Sequence, residues 1–316
     1  MPGLTGVVTA TTLNVRPEPT TLKQPIGTLK RGISVSILDR AGGWFKIPWS
    51  GAAGYVHGDY LTIQDSNPAA GFFHEEDDLK IVPLPPKEFE RIDVSSSFSP
   101  IQRLVARTWN SQGGLLEILS DRVGIEPATT VAVLCVESGG KGFNADGSMI
   151  IRFENHVFWR EWGKTNAALF AAHFAYDQTK GWRDHKFREK SNGKWREFHG
   201  DQQLEWRVLE FARTLHDSAA LRSISMGGPQ IMGFNHARIG YDSVHSMFNT
   251  FRNDIRYQTI ALFDFLQGPG TTSPMVVALQ RKKFNDFASM YNGPGQAAMY
   301  GERIQTHAET FSSLIS

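Results

Sequence analysis

The sequence predicts a multidomain chain in which a small β-barrel precedes a mainly α-helical domain. Three observations support this: short β-branched and aromatic runs come first, a proline-rich acidic segment follows, and helical periodicity begins at Pro100. We therefore expect a β-barrel at residues 1–64, a linker at residues 65–98 and a helical domain at residues 99–316.

The composition excludes several classes of function. A chain of 316 residues suits about two domains, and its 33 Lys and Arg residues nearly balance 32 Asp and Glu residues. A net charge of +1 provides no overall field that attracts nucleic acid or a membrane surface. Cys135 is the single cysteine, which excludes a disulfide framework. No apolar run approaches the roughly 20 residues of a membrane helix. We expect a monomer without nucleic-acid partners or stable membrane insertion.

The expected β-barrel rests on five short runs punctuated by glycine and proline. The runs are Gly6–Ala10, Leu13–Arg16, Ser34–Leu38, Trp44–Ile47 and Gly54–His57. Together with Ile26–Leu29 and Gly32–Val35, their order resembles a bacterial SH3 domain. The resemblance implies a module that binds the cell wall. Four aromatic residues either floor a ligand groove or pack the barrel: Trp44, Trp49, Tyr55 and Tyr60.

The segments that follow predict a linker, a set of helices and one basic hairpin or surface excursion. The acidic run Glu75–Asp78 and the prolines Pro83, Pro85 and Pro86 are typical of a semi-rigid linker. Helical spacing of apolar residues is found at Ile101–Leu119, Val131–Glu137, Leu204–Leu215, Ile255–Leu266 and Met275–Phe287. Residues 180–196 are rich in Lys, Arg and Trp, and Ser191–Gly193 predicts a turn within them.

Glu137 is the strongest candidate for a catalytic residue. Pro127 suits the first turn of a helix and Gly139–Gly140 stops it, so Glu137 falls at the helix carboxyl end. The negative end of the helix dipole and an apolar wall of Val133 and Leu134 both disfavour a charged carboxylate. We expect a raised pKa at Glu137, as a general acid requires.

Two glycine-rich turns strengthen this candidate. Ser225–Gly233 and Tyr291–Gly295 supply hydroxyl, amide and aromatic groups. Amides bind an acetamido group and an aromatic ring backs a sugar ring, so the three segments together predict a site for an N-acetylated sugar.

The order of these motifs resembles the lysozyme-like superfamily, and more closely the N-acetylmuramidases of modular phage and bacterial endolysins. Matching blocks include Val136–Gly140, Ile151–Phe158, Gln230–Asn235 and Tyr291–Gly293. The resemblance implies cleavage of the β-1,4 bond between N-acetylmuramic acid and N-acetylglucosamine in peptidoglycan, without a cofactor.

The resemblance also implies roles for individual residues. Glu137 matches the general acid, and Glu154 or Asp146 supplies a second carboxylate. Side chains expected to position sugars are Ser138, Ser225, Gln230, Tyr291 and Asn292. Structural roles stay open for several of these, with Glu154 as a partner of Arg152 and Gln230 as a loop amide. A lytic transglycosylase would need no second carboxylate.

Other functions fit the sequence less well. Cys135 lies in an apolar helical run, where a thiol behaves as a small hydrophobe and not as a peptidase nucleophile. The ten histidines lack the His-Glu-x-x-His spacing of zinc peptidases, so we expect no metal. A non-catalytic wall-binding protein is a further alternative, which the presence of Glu137 argues against.

The amino terminus indicates where the protein acts. Met1–Gly6 shows no basic head followed by an apolar stretch, so we expect no secretory signal peptide. An endolysin made in the host cytoplasm and released to the cell wall by a membrane-permeabilising partner fits this expectation. A toxin delivered by a secretion machine is the alternative.

Overall fold

A computed structural model of the chain describes residues 4–41, 43–65, 71–268 and 273–315. The chain divides into two compact units. The first comprises residues 1–136 and 266–316, and the second comprises residues 137–265. No helix in the described ranges is long and apolar enough to cross a membrane.

The first unit begins with a small β-rich region. Its strands are β1 (Leu4–Val8), β2 (Thr12–Val15), β3 (Gly27–Lys30), β4 (Ser34–Ser36), β5 (Asp39–Ala41), β6 (Trp44–Trp49), β7 (Ala52–His57) and β8 (Leu61–Asp65). They form three antiparallel sheets, ordered β4-β1-β8, β2-β3 and β5-β6-β7. Alternate side chains, among them Val15, Ile47 and Val56, are buried in one shared core.

The sequence predicts a small β-barrel here, and the strands of residues 4–41 and 43–65 form a small β-rich region that does not close into one barrel. A closed barrel requires continuous pairing around the sheet. These strands are only three to six residues long, and β2 meets β7 through an isolated bridge between Arg16 and Tyr55. The ladder therefore breaks into three sheets that are joined by their core.

Part of the segment predicted as a linker packs on a long helix of the same unit. Here α1 (Asp77–Ile81) precedes α2 (Pro100–Val123). The Asn110 side chain of α2 bonds both backbone groups of Ile92, at 2.9 and 2.8 Å. The Trp109 indole N–H donates to the Glu90 carbonyl at 2.8 Å. The domain limits at 64 and 98 stay predictions, and residues 66–70 lie outside the described ranges.

The helices of the first unit have local start and stop signals. After α2 they are α3 (Pro127–Ser138, whose end belongs to the second unit), α10 (Pro274–Gln280), α11 (Phe284–Tyr291) and α12 (Ala297–Ile315). Ser99 and Gln102 form a capping box at the start of α2, and Gly124 ends it with φ 64°. The helix expected over Met275–Phe287 is interrupted, since Lys282 takes a left-handed conformation with φ 55°.

The second unit combines helices with two three-stranded sheets around an aromatic core. Its strands are β9 (Ile151–Phe153), β10 (Phe174–Ala175), β11 (Lys186–Phe187), β12 (Arg196–Glu197), β13 (Ile224–Met226) and β14 (Ile231–Met232). Its helices are α4 (Asn155–Glu161), α5 (Ala167–His173), α6 (Gln202–Leu215), α7 (Asp217–Arg222), α8 (Val244–Asn253) and α9 (Ile255–Gln267). The sheets are ordered β10-β11-β12 and β14-β13-β9. The hairpin predicted at residues 180–196 is confirmed, since β11 pairs antiparallel with β12.

Strand β9 is held along both of its edges. Its backbone pairs with β13 on one side. On the other side the Gln202 side chain bonds the N–H and C=O of Ile151, at 3.0 and 2.8 Å. The Glu205 carboxyl accepts the Phe153 N–H at 2.8 Å. Side chains of α6 therefore replace a neighbouring strand.

Glu205 makes the stability of this arrangement depend on pH. The residue is only 1% exposed, and burial raises its pKa from 4.5 to about 8. Its contribution to the free energy of unfolding is therefore complete below pH 4.5 and decreases as the pH rises to about 8, because the unfolded chain releases the proton first. The expected decrease is on the order of a few kcal/mol.

We predict that Glu205→Gln removes this part of the pH dependence. Urea unfolding at pH 5 and pH 8 measures it, with the exposed Glu210→Gln of the same helix as the control. The neutral His185 and His199 act in the opposite sense in all three proteins, because the lowered pKa of each makes the fold more stable as the pH rises. The change from pH 5 to pH 8 should therefore be more destabilising in the wild type and the control than in Glu205→Gln. An unchanged pH dependence in Glu205→Gln would contradict the prediction.

Candidate active site

Glu137 lies at the carboxyl end of α3, as the sequence predicts. Gly139 and Gly140 follow with φ of 63° and 69°, and two successive left-handed residues end a helix without strain only where both are glycine. Glu137 is half-buried, whereas Val133 and Leu134 one turn earlier are buried. The predicted helix bounds are confirmed. Ser138 is the last residue of α3, and its side chain lies outside the described part of the structure.

One face of the β14-β13-β9 sheet carries polar side chains. Arg152 of β9 lies directly opposite Ser225 of β13, and Ser225 lies opposite Met232 of β14. Because side chains alternate along a strand, Ile151 and Phe153 point to the other face and are fully buried. Arg152 is 46% exposed at its side chain. This face therefore brings Arg152 next to Ser225, the first residue of the Ser225–Gly233 loop.

Ser225 and Gln230 are bonded to each other within this loop. The Ser225 hydroxyl donates to Gln230 Oε1 at 2.8 Å, and Gln230 Nε2 donates to the Gly227 carbonyl at 2.8 Å. Gln230 itself has φ 52°, a left-handed conformation that such bonds stabilise. Both predicted sugar-binding groups thus shape the loop, and their contact with a substrate stays a prediction.

Gln258 of α9 holds the Ser225–Gly233 loop in place through hydrogen bonds to the backbone. This fully buried side chain accepts the Gly228 N–H at 2.8 Å and donates to the Phe251 carbonyl at 2.8 Å. A Cβ added at Gly142 or Gly227 would lie 2.1 or 2.4 Å from its Oε1. Sequence reasoning missed this residue. The available signal is weak: Gln258 lies in the first turns of α9, just before the apolar run Ile260–Phe263, where a buried polar group needs partners.

Glu154 lies at the end of β9 in a cluster of basic side chains. Its Oε1 accepts a bond from Arg152 Nε at 2.9 Å, and the carboxylate is 13% exposed. Its Oε2 is buried without a hydrogen bond and faces His156 Nδ1 at 3.4 Å and His185 Nε2 at 3.6 Å. Burial alone would raise the pKa of Glu154, but these neighbours outweigh burial and hold the pKa below its ordinary value. Glu154 is therefore ionised at neutral pH.

A metal does not fit the nitrogen that His185 offers to this cluster. Glu154, His156 and His185 place one potential ligand atom each within 4.8 Å of one another. However, His185 Nδ1 accepts the Asn155 N–H at 3.2 Å, so the proton is on Nε2, which donates to the Gly181 carbonyl at 2.8 Å. Nε2 faces Glu154 and has no lone pair for a metal. His185 instead joins two backbone segments.

Asp146 lies in the loop between α3 and β9. Its exposed carboxylate accepts bonds from the Ser148 N–H and hydroxyl at 2.9 and 2.6 Å. These bonds hold the pKa of Asp146 below its ordinary value. The residue lines an open depression together with Asn144, Gly200 and Gln202. It therefore presents an ionised carboxylate to water.

The remaining predicted site residues belong to the first unit. Tyr291 is the last residue of α11, with its ring 5.3 Å from that of Phe287, and Asn292 follows it.

The four aromatic residues singled out in the β-rich region have different surroundings. Trp44 and Tyr60 line a groove with His57, whose ring packs edge-on against Trp44 at 4.9 Å. Trp49 instead packs on the core, and a Cβ at Gly27 would lie 2.2 Å from its ring. Tyr55 is half-buried on β7.

Comparisons with known proteins match both parts of the chain. A family model described as N-acetylmuramidase matches residues 126–312. A model of the bacterial SH3 domain matches residues 11–62. Among solved structures, the crystal structure of Burkholderia AP3 phage endolysin is similar to this chain, with 26% identity, a TM-score of 0.50, and coverage of 63% of this chain and 70% of that chain. No curated protein matches the sequence.

We predict that Gln258→Leu destabilises the protein by about 2–4 kcal/mol, because it leaves two buried backbone groups without partners. Urea unfolding measures the loss. The control is Gln305→Leu on α12, where an exposed glutamine bonds Glu309; this variant should change the free energy of unfolding by less than about 1 kcal/mol. A similarly small loss in Gln258→Leu would show that its bonds do not hold the loop.

Proposed function

The chain belongs to the N-acetylmuramidase family, whose model matches more than half of its length, and from this premise we propose that Glu137 is the general acid of its reaction. The protein is a glycoside hydrolase that acts on peptidoglycan. The observation that carries the assignment is the position of Glu137 at the end of α3, inside the matched segment and before two left-handed glycines.

The location of Glu137 suits proton donation. The carbonyl end of a helix disfavours negative charge, and so does partial burial. Both effects favour the protonated carboxyl, which donates its proton to the glycosidic oxygen as the bond to C1 breaks. Ser225, Gln230, Tyr291 and Asn292 are proposed to position the sugars, within a fold of the lysozyme-like class.

The second carboxylate acts after or during bond cleavage, and its two candidates differ in environment. Glu154 has one oxygen bonded to Arg152 and the other buried, which supports a role in holding charge and position. Asp146 has an exposed, ionised carboxylate, which supports activation of a water molecule. We propose this division of roles, in which Asp146 activates water and Glu154 orders the β9 face.

The β-rich region is proposed to hold the enzyme on its polymeric substrate. The groove lined by Trp44, His57 and Tyr60 offers aromatic surfaces to a wall component, and Tyr60 is 49% exposed. Since the substrate lies outside the cell membrane, we propose release by a membrane-permeabilising partner, with a secretion machine as the alternative.

Glu137→Ala is expected to lower the rate of dye release from labelled peptidoglycan by at least about 1,000-fold, as loss of a general acid implies. Its far-ultraviolet circular dichroism and unfolding midpoint should stay near those of the wild type. Glu126→Gln is the matched control, because Glu126 precedes the same helix and pairs with Lys282 at 2.8 Å. Near-normal turnover by Glu137→Ala would refute the assignment.

Asp146→Asn is expected to reduce kcat by about 100-fold or more with little change in KM, because it removes a base. Glu154→Gln is expected to raise KM more than it lowers kcat. Mass spectrometry of the products should show reducing muramic-acid ends. If both variants keep the wild-type kcat and the ends are anhydro-muramic, a transglycosylase mechanism without a second carboxylate replaces this proposal.

A further inference from the structure

The guanidinium of Arg152 is fixed in place by two partners. Its Nε donates to Glu154 Oε1 at 2.9 Å, and its Nη2 lies 2.9 Å from His199 Nδ1. His199 Nε2 lies 2.9 Å from the Phe153 carbonyl, an acceptor, so this nitrogen carries the ring proton. Nδ1 of the neutral ring is then an acceptor for Arg152. Both partners thus orient the guanidinium through a consistent set of donors and acceptors.

This arrangement persists at neutral pH. Burial is the main cause that lowers the pKa of His199 to about 4, so the ring stays neutral. Glu154 stays ionised for the reasons given above. A mobile arginine loses side-chain entropy when it binds a ligand, whereas a fixed one has already lost it.

Part of the guanidinium remains available for a ligand. An arginine has five N–H donors, and the bonds to Glu154 and His199 use two of them. Within the described ranges, neither N–H of Nη1 has a protein partner. Arg152 is the one exposed residue of β9, and it shares the sheet face with Ser225. One N–H of Nη1 and one N–H of Nη2 are parallel in a guanidinium, and such a pair of donors matches the two oxygens of a carboxylate. The bond to His199 leaves Nη2 one N–H for this pair.

We propose that Arg152 is a substrate-binding residue that recognises a carboxylate of the peptidoglycan strand. The inference rests on the proposed function and deepens it, since it names the chemical group read beside the Ser225–Gly233 loop. Two sources supply this group in the polymer: the lactyl group of muramic acid where no peptide is attached, and the stem peptide where one is. Glu154 and His199 are positioning residues for Arg152.

Three forms of the glycan strand test the proposal and distinguish the sources. Intact strands carry stem-peptide carboxylates, strands stripped by an amidase carry free lactyl carboxylates, and stripped strands amidated with carbodiimide and ammonia carry neither. We expect Arg152→Gln to raise KM by about 10- to 100-fold on the strands whose carboxylate is recognised, with kcat nearly unchanged. On the amidated strands wild type and Arg152→Gln should have equal KM.

Two further variants separate recognition from folding. Arg152→Lys keeps a cation beside Glu154 but loses the planar pair of donors, so its KM should be intermediate. Arg207 lies on α6 and forms an exposed ion pair with Glu189. Arg207→Gln removes the same charge as Arg152→Gln, and its KM should equal that of the wild type. Since each variant is compared across three substrates, partial unfolding would lower all rates equally and leave the ratio of KM values unchanged.

A binding measurement makes the test independent of catalysis. Calorimetric titration of the strands into Glu137→Ala protein, with and without Arg152→Gln, gives the Kd without turnover. A 10- to 100-fold weaker Kd confined to carboxylate-bearing strands supports the proposal. Heat that continues after saturation would show that Glu137→Ala still turns over, in which case the general-acid assignment fails and not the assignment of Arg152. An effect on stripped strands alone identifies the lactyl group, and one on intact strands alone identifies the stem peptide. Equal effects on all three forms, or none, would overturn it.

Discussion

The arrangement of the second unit depends on a strand of three residues that is held on both edges. A strand this short gains little from its own pairing. Strand β9 is nevertheless fixed, because β13 bonds one edge and the side chains of Gln202 and Glu205 bond the other. Fixing the strand also fixes the direction of each side chain, so Arg152 projects from one face while Ile151 and Phe153 enter the core.

Buried polar groups fix such segments, but each of them must find a hydrogen-bond partner, which an apolar side chain does not need. An unpaired buried donor or acceptor destabilises the folded state by about 1–3 kcal/mol. Gln258 and His185 avoid that penalty because both ends of each side chain meet backbone groups. Each residue joins segments that are distant in sequence, which gives irregular loops a single conformation. Loops that carry chemistry need such support, since their own backbone bonds are few.

Sequence alone predicted the features whose causes are local. Pro127 and Gly139–Gly140 bound α3, and the turn at Ser191–Gly193 closes a hairpin, because each signal acts within a few residues. The sequence predicted a small β-barrel, and the small β-rich region is confirmed. Its strands do not close into one barrel, since closure depends on how far each ladder extends between distant strands. Alternation along β6 places Trp49 on the core face with Phe45 and Ile47, and Trp44 on the opposite face. Sequence does not reveal that Trp44 lines a groove, because His57 and Tyr60 come from other segments. The bonds made by Gln258 and Glu205 connect residues about 30 to 50 positions apart, beyond any periodicity.

The same separation of local and distant causes applies to the surroundings of Glu137 and Glu154. The position of Glu137 at the carboxyl end of α3 follows from signals within its own helix, and one stretch of sequence therefore predicts it. The setting of Glu154 follows from residues of several elements: Arg152 on β9, His156 on α4 and His185 in the hairpin region. Burial raises the pKa of Glu154 and the neighbouring histidine and arginine side chains lower it. The net effect is a lowered pKa, so Glu154 is an anion. An anion held by arginine is poorly suited to donate a proton, which supports the proposal that the general acid is Glu137 and not Glu154.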